Sequence, residues 1–343
     1  MVDVRIAVVG TGANGASIAA DLVRAGLDVT LIEQWPEHVS AMREHGLRVE
    51  LPDKEIVTPV RAVNLCEVAT LREPFDIVFL LVKAYDTRWA CELVKPLLAP
   101  DGLLVGVQNG MTVEAIADIV GVERTLGSVI EVGSAMYRPG VVERHTPHAL
   151  SWFAVGGLVP EVTDRAGPAA AALRNAGTVE VVEDIVAAKW MKLIVNAGEL
   201  VPSAILGLPL YEASRVPGMR DFMLRASLEA LSAAESLGVR PTPIFGRPIP
   251  DTADLGEYVQ TLTDLVVETF ALPHSKTTVL QDWGKGRRSE VAEINGLVVE
   301  TLAATGKAGK TAPANSITLE LAHRIETGLL APDAGNAERL LNA

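Results

Sequence analysis

Through its first 180 or so positions the chain alternates short apolar runs with stretches of helical period, and from about residue 184 onward the period is helical throughout. RIAVVG (5–10) reads as a strand, ASIAADLVRAG (16–26) as a helix closed by Gly26, DVTLIE (28–33) as a second strand and EHVSAMREHG (37–46) as a helix ended by Gly46. FDIVFLLVK (75–83) and GLLVGVQNG (102–110) are unbroken apolar strands, the mark of a sheet covered by helices on both faces. TLGSVIEVGSAMY, VVERHTPH and LSWFAVGG, between 125 and 157, add strands, the last of them antiparallel and close together. The later half gives five helical segments: 187–206, 218–238, 255–270, 289–306 and 315–328. The proline-rich run PTPIFGRPIPD (241–251) is an irregular connection between two of them.

This order predicts an α/β fold in two parts, an N-terminal domain over 1–182 and an all-α domain over 183–343. A chain of 343 residues exceeds the usual growth of one core, which agrees with a two-domain reading. Hydrophobic residues make up 49% and charged residues 21%, so the chain is globular rather than disordered. A formal net charge of −13 argues against nucleic acid or an anionic membrane as the main partner. The only two cysteines, Cys66 and Cys91, cannot make a disulfide framework and read as packing or surface thiols. The N-terminal residues enter a strand pattern without a signal-peptide profile, and no window reaches the length of a membrane span, so the expected location is cytoplasmic.

Chemistry enters at GTGANG, which follows the first strand and opens the first helix. Gly10, Gly12 and Gly15 stand in G-x-G-x-x-G register with Ala13 and Asn14 between them. Such glycines allow a tight turn, close approach of backbone to a pyrophosphate and close packing of helix on strand. The first domain therefore reads as a Rossmann-type dinucleotide-binding domain. Glu33, 23 residues after Gly10, ends the second strand where an acid hydrogen-bonds the adenosine ribose and repels a 2′-phosphate. NAD is favoured on this ground, with NADP as the alternative through Arg43 or a loop residue. In the second half Lys189, Lys192, Asn196 and Glu199 fall on one stripe of a helix, with Lys192 and Asn196 one turn apart. Lys189 reads as the solvated member of that stripe. His145 and His148, in HTPH, lack a third ligand and read as surface residues, so no metal site is expected.

GTGANG, LVKAYDT, QNGM, KLIVN, LQDWGKGRRSE, ING and PAN, in this order along nearly the whole chain, resemble the ketopantoate reductase (2-dehydropantoate 2-reductase) family. The resemblance implies reversible hydride transfer between a nicotinamide and a small 2-oxo or 2-hydroxy acid. It assigns Lys192 as the general acid/base, and Glu290 as the acid that binds a substrate hydroxyl and orients the lysine. Asn196 and Thr278 match substrate-binding positions, Asn109 a position near nicotinamide and substrate, and Lys83 a lysine on the cofactor side. A reduction builds negative charge on the carbonyl oxygen, which a desolvated lysine stabilises and protonates, and desolvation would lower that lysine's pKa toward neutrality.

The sequence also departs from the family pattern. Leu200 stands where a second asparagine is common, Ala292 replaces an acid, and Glu33 lies near a frequent arginine. These changes leave open an NAD-dependent D-2-hydroxyacid dehydrogenase, or another hydroxy- or sugar-acid dehydrogenase, with a bulkier or more apolar substrate. A protein of another class, sensing nucleotide without chemistry, should have lost both Lys192 and Glu290. The apolar periodicity after 213 fits a homodimer contact.

Overall fold

The computed structural model describes residues 4–249, 254–305 and 311–342. Pro250 and Asp251, the end of the proline-rich connection, and Gly306, the end of the fourth helical segment, lie outside the described residues. The chain divides into two compact units, Met1–Val186 and Ala187–Ala343.

The first unit contains strands β1 (Arg5–Val9), β2 (Asp28–Glu33), β3 (Leu47–Glu50), β4 (Glu55–Thr58), β5 (Arg61–Asn64), β6 (Phe75–Leu80), β7 (Leu98–Val107), β8 (Thr125–Glu131), β9 (Ser134–Arg138), β10 (Val141–Arg144), β11 (Trp152–Gly157) and β12 (Thr178–Val181). Its helices are α1 (Ala13–Arg24), α2 (Pro36–His45), α3 (Thr87–Val94), α4 (Val113–Val120), α5 (Pro160–Thr163) and α6 (Gly167–Leu173). Eight strands form one sheet in the order β12-β11-β8-β7-β6-β1-β2-β5. The pairs from β8 through β5 are all parallel, whereas β11 runs antiparallel to β8.

Both faces of the sheet are buried, which explains the unbroken apolar runs. Ile6 and Val8 of β1 join one core with Ile18 and Leu22 of α1, while Ala7 and Val9 join another with Ala90 and Val94 of α3 and Ile116 of α4. The chain passes from β1 to β2 on one side and returns to place β6 on the other, so the order reverses at β1, the position where α/β sheets open a crevice at their carboxyl ends.

The sequence pattern did not resolve a second sheet, β4-β3-β10-β9. Its strands have four or five residues each, too short to establish a period, and Leu47–Glu50 gains a parallel partner only from the distant Val141–Arg144. The strand expected through HTPH stops at Arg144, whose guanidinium is fully buried. That group donates to Asp21 of α1, to Ser151 Oγ at 2.9 Å, and to the carbonyls of Thr146 and Ala176. His148 Nε2 stands 3.0 Å from Asp21, and His145 Nε2 3.6 Å from Glu143.

The second unit is helical: α7 (Ile185–Ile205), which begins in the last two residues of the first unit, α8 (Leu210–Ala213), α9 (Met219–Ser236), α10 (Leu255–Leu265), α11 (Thr278–Gly284), α12 (Leu297–Ala304), α13 (Pro313–Glu326) and α14 (Ala337–Leu341). All five expected helical segments appear, and α8, α11 and α14 are additional. The α9 helix packs against α10, α12, α13 and α14. A π-turn over Ala292–Gly296 leads into α12 and carries the ING motif. Asn295 Nδ2 donates to the Ala197 carbonyl at 2.9 Å and to Asn315 Oδ1 at 2.8 Å. Asn315 Nδ2 in turn donates to Glu229 at 2.7 Å, and Glu229 accepts from the Ala314 and Asn315 amides at the start of α13. ING and PAN are thus the hydrogen-bonded pin that joins α7, α9 and α13.

Candidate active site

In the first unit, the predicted cofactor residues collect at the carboxyl ends of parallel strands. Gly10, with φ 84°, turns the chain out of β1, and a Cβ there would lie 2.6 Å from the Val82 amide nitrogen. A Cβ at Gly15 would lie 2.1 Å from the Gly10 carbonyl oxygen, so only glycine lets α1 start this close to the strand. At Gly12 a Cβ would meet nothing within 4 Å. The backbone there borders open space at the N-terminus of α1, which no side chain caps and which Ala13 and Asn14 continue. Bare amides at a helix N-terminus suit a pyrophosphate, and the loop therefore fits a dinucleotide.

Lys83 follows β6 and Asn109 follows β7, both half-buried. Their loops are tied together, because Gln108 Nε2 donates to the Val82 carbonyl at 2.8 Å and to Thr87 Oγ1 at 3.0 Å. Glu33 ends β2 and is buried. Its Oε1 accepts from the amides of Gln34 at 2.9 Å and Trp35 at 3.0 Å, and its Oε2 from the Thr11 hydroxyl at 3.1 Å.

In the second unit, α7 carries Lys189, Lys192, Asn196 and Glu199 on one stripe, and the structure corrects which of them is solvated. Lys189 is only 3% exposed, Asn196 and Glu199 are buried as well, and Lys192 is half-buried. Burial pushes the Lys189 ammonium down to about 7, against the attraction of Glu290 that raises it. Desolvation thus moves Lys189, which the pattern places in solvent, toward neutrality. Amphipathic logic assigns a charged residue to water; here the lysine is buried, and a carboxylate far along the chain offsets only part of the desolvation.

Lys192 Nζ lies 5.2 Å from the centre of the Phe245 ring, a cation–π distance. Phe245 comes from the proline-rich connection, which pattern alone read as an irregular link. Thr278 is the first residue of α11, and the preceding Thr277 donates its hydroxyl to the Leu200 carbonyl at 3.1 Å, bringing the start of α11 to the last turns of α7. Glu290 is buried and stands two residues before the turn that leads into α12. The segment before it is anchored by Glu326 of α13, which accepts from the amide and hydroxyl of Ser289 at 3.0 and 2.6 Å.

Neither cysteine belongs to these clusters: Cys66 is exposed, and Cys91 is buried with its thiol pushed up to about 12. Among the described residues no group of three His, Cys, Asp or Glu side chains stands close enough to hold a metal, and no helix is long and apolar enough to cross a membrane.

A dinucleotide cradle in one unit and a lysine-bearing helix with a buried acid in the other define a class, the nicotinamide-dependent oxidoreductases with a Rossmann unit and a helical unit. The chain matches the family model "Ketopantoate reductase PanE/ApbA" over residues 6–156 and that of its C-terminal part over 184–326. The chain belongs to the ketopantoate reductase family, whose members use NAD(P)H. A 2-dehydropantoate 2-reductase of Mesorhizobium japonicum is 28% identical over 318 residues, covering 86% of this chain and 90% of that one. The crystal structure of a PanE/ApbA family ketopantoate reductase from Ralstonia eutropha shares 28% identity with a TM-score of 0.78, over 94% of this chain and 99% of its own. D-mandelate dehydrogenase, solved with NADH and anilino(oxo)acetate, has the same fold at 21% identity and TM-score 0.83, over 95% and 99% of the two chains.

Proposed function

We propose that the chain uses NADH to reduce a small 2-oxo acid to its 2-hydroxy acid, reversibly, with Lys192 as proton donor. The observation that carries this reading is Lys192 itself: half-buried beneath Phe245 and one turn before the buried Asn196, it combines access with partial desolvation. The bound nicotinamide supplies the hydride. The Lys192 ammonium hydrogen-bonds the substrate carbonyl oxygen and transfers a proton to it as negative charge develops. A cation fixed in a partly dry setting stabilises that charge more than it stabilises the neutral ketone. Asn196 and Thr278 hold the substrate, and Glu290 orients its hydroxyl and the lysine. Lys189, buried and attracted to Glu290, lies close enough to bias how the Glu290 carboxylate is held.

In the first unit, Gly10, Gly12, Ala13, Asn14 and Gly15 would hold the pyrophosphate of the dinucleotide, and Lys83 and Asn109 would serve its nicotinamide half. Glu33 favours NADH, since a carboxylate at the end of β2 opposes a 2′-phosphate. Titrating the enzyme with NADH and NADPH, then assaying a panel of 2-oxo acids that includes ketopantoate, tests the reading. Tighter NADPH binding, or no turnover of any 2-oxo acid, would overturn it.

A second reading concerns the substrate. Leu200, half-buried one turn beyond Asn196, gives that side of the site an apolar group where a hydroxylated substrate needs a partner. A less polar 2-oxo acid suits it better than ketopantoate. We further take the enzyme to be a cytoplasmic homodimer. Two unpaired cysteines suit a reducing compartment, and the exposed Leu237, Leu272 and Leu329 of the helical unit offer apolar surface for a subunit contact.

A further inference from the structure

A line of hydrogen bonds crosses the first unit from the small sheet to the carboxylate at the end of β2. The Gly140 amide, in the turn between β9 and β10, donates to His38 Nδ1 at 2.7 Å. His38 Nε2 lies 3.0 Å from the Thr11 carbonyl, and the Thr11 hydroxyl donates to Glu33 Oε2 at 3.1 Å. His38 and Thr11 have no exposed surface, and Glu33 keeps 5%.

The partners dictate the tautomer. An amide can only donate, so Nδ1 is the bare nitrogen; a carbonyl can only accept, so Nε2 carries the hydrogen. A second proton on the ring would set two N–H groups against each other. Burial agrees, because desolvation lowers the His38 pKa despite the pull of Glu33 and the Thr11 carbonyl. His38 therefore acts as a fixed, neutral spacer at neutral pH. It holds the backbone of Thr11, the second residue of the glycine loop, while the side chain of the same residue holds Glu33.

Glu33 has little freedom left. Two backbone amides occupy Oε1 and one hydroxyl occupies part of Oε2. The remaining acceptor capacity is concentrated on Oε2, and Thr11 sets the direction in which it points. We propose that Thr11 and His38 are positioning residues for cofactor choice, holding the Glu33 carboxylate so that Oε2 accepts one adenosine ribose hydroxyl and the charge opposes a 2′-phosphate. Neither residue touches the reacting atoms. The proposal rests on the reading of Glu33 as the ribose partner, and it adds that the partner works only while it is held.

The test compares dissociation constants for NADH and NADPH, read by cofactor fluorescence, in the wild type, Thr11→Val and Thr11→Ser. Val keeps the shape and removes the hydroxyl; Ser keeps the hydroxyl. NADH should bind roughly tenfold more weakly to Thr11→Val, as loss of one hydrogen bond to a charged group implies, with NADPH changed far less and Thr11→Ser close to the wild type. A general loosening of the loop would weaken both cofactors alike and would overturn the proposal, as would an unchanged ratio in a folded Thr11→Val. Nitrogen-15 spectra of histidine-labelled wild-type protein give a second arm that needs no variant: His38 should appear as the neutral Nε2–H form, and an Nδ1–H form would overturn the relay. A wild type that prefers NADPH sinks the reading of Glu33 itself, a result distinct from a wild type that prefers NADH and a Thr11→Val that keeps the preference.

Discussion

Lys192 Nζ stands 5.2 Å from the centre of the Phe245 ring, and Phe245 is the one non-glycine residue among those described with a positive φ, 58°. A bulky residue in this region costs about 1–3 kcal/mol and persists only where its surroundings enforce it. Here Tyr258 enforces it, donating its hydroxyl to the Arg247 carbonyl at 2.7 Å and accepting from the Ile244 amide at 3.4 Å, while Phe270 packs edge-on against the ring at 5.7 Å. The strained turn therefore serves to hold an aromatic face against the lysine. Phe245→Leu should lower kcat by about fivefold, consistent with a cation–π contact worth roughly 1 kcal/mol, and leave NADH affinity unchanged. Phe245→Gly relieves the backbone yet removes the ring, so it should lose activity as well. Steady-state kinetics on both variants separates the ring from the backbone.

Lys189 gives the protein a pH-dependent stability. The Lys189 pKa falls from the ordinary 10.5 to about 7 on folding, so between these values the unfolded chain binds more protons than the folded one. Stability from this group therefore rises with pH across that window and is lowest below it. Urea unfolding from pH 7 to 10 should show the rise in the wild type and a flatter profile in Lys189→Met.

Leu200 is the residue to change for substrate preference. Leu200→Asn restores a hydrogen-bonding group one turn past Asn196, and kcat/KM for a hydroxylated 2-oxo acid should rise about tenfold relative to an unhydroxylated one of equal size. Paired assays on ketopantoate and a branched aliphatic 2-oxo acid measure this ratio.

Gly198 sets the distance between α7 and α9. A Cβ there would lie 2.3 Å from Ser227 Oγ and 2.4 Å from the Met223 carbonyl oxygen. Alanine favours a helix interior over glycine by about 1 kcal/mol, but forcing two helix backbones apart costs more. Gly198→Ala should thus lower the thermal midpoint by several degrees, which calorimetry would record.

The parts of the fold visible in sequence are those whose signal is local. The strand through Phe79 is apolar on both faces because helices cover both, and each glycine of GTGANG has a steric task within its own turn. Glu50 and Glu55, in contrast, lie in four-residue strands of a sheet completed by Val142 from far along the chain, so no local period marks them. Lys189 departs from its expected place for the same reason: its helix announces a charged stripe, but packing from distant parts of the chain buries it and brings Glu290 near enough to attract it. The backbone of Phe245 is set by Tyr258 and its ring by the position of Lys192, neither of which a proline-rich run discloses.

The proton-donor role of Lys192 is tested most directly by single-turnover hydride transfer in Lys192→Ala, followed by NADH fluorescence with saturating 2-oxo acid. The account predicts a fall in rate of about a hundredfold or more, with NADH binding and thermal midpoint close to wild type. A rate within a few-fold of wild type would contradict it.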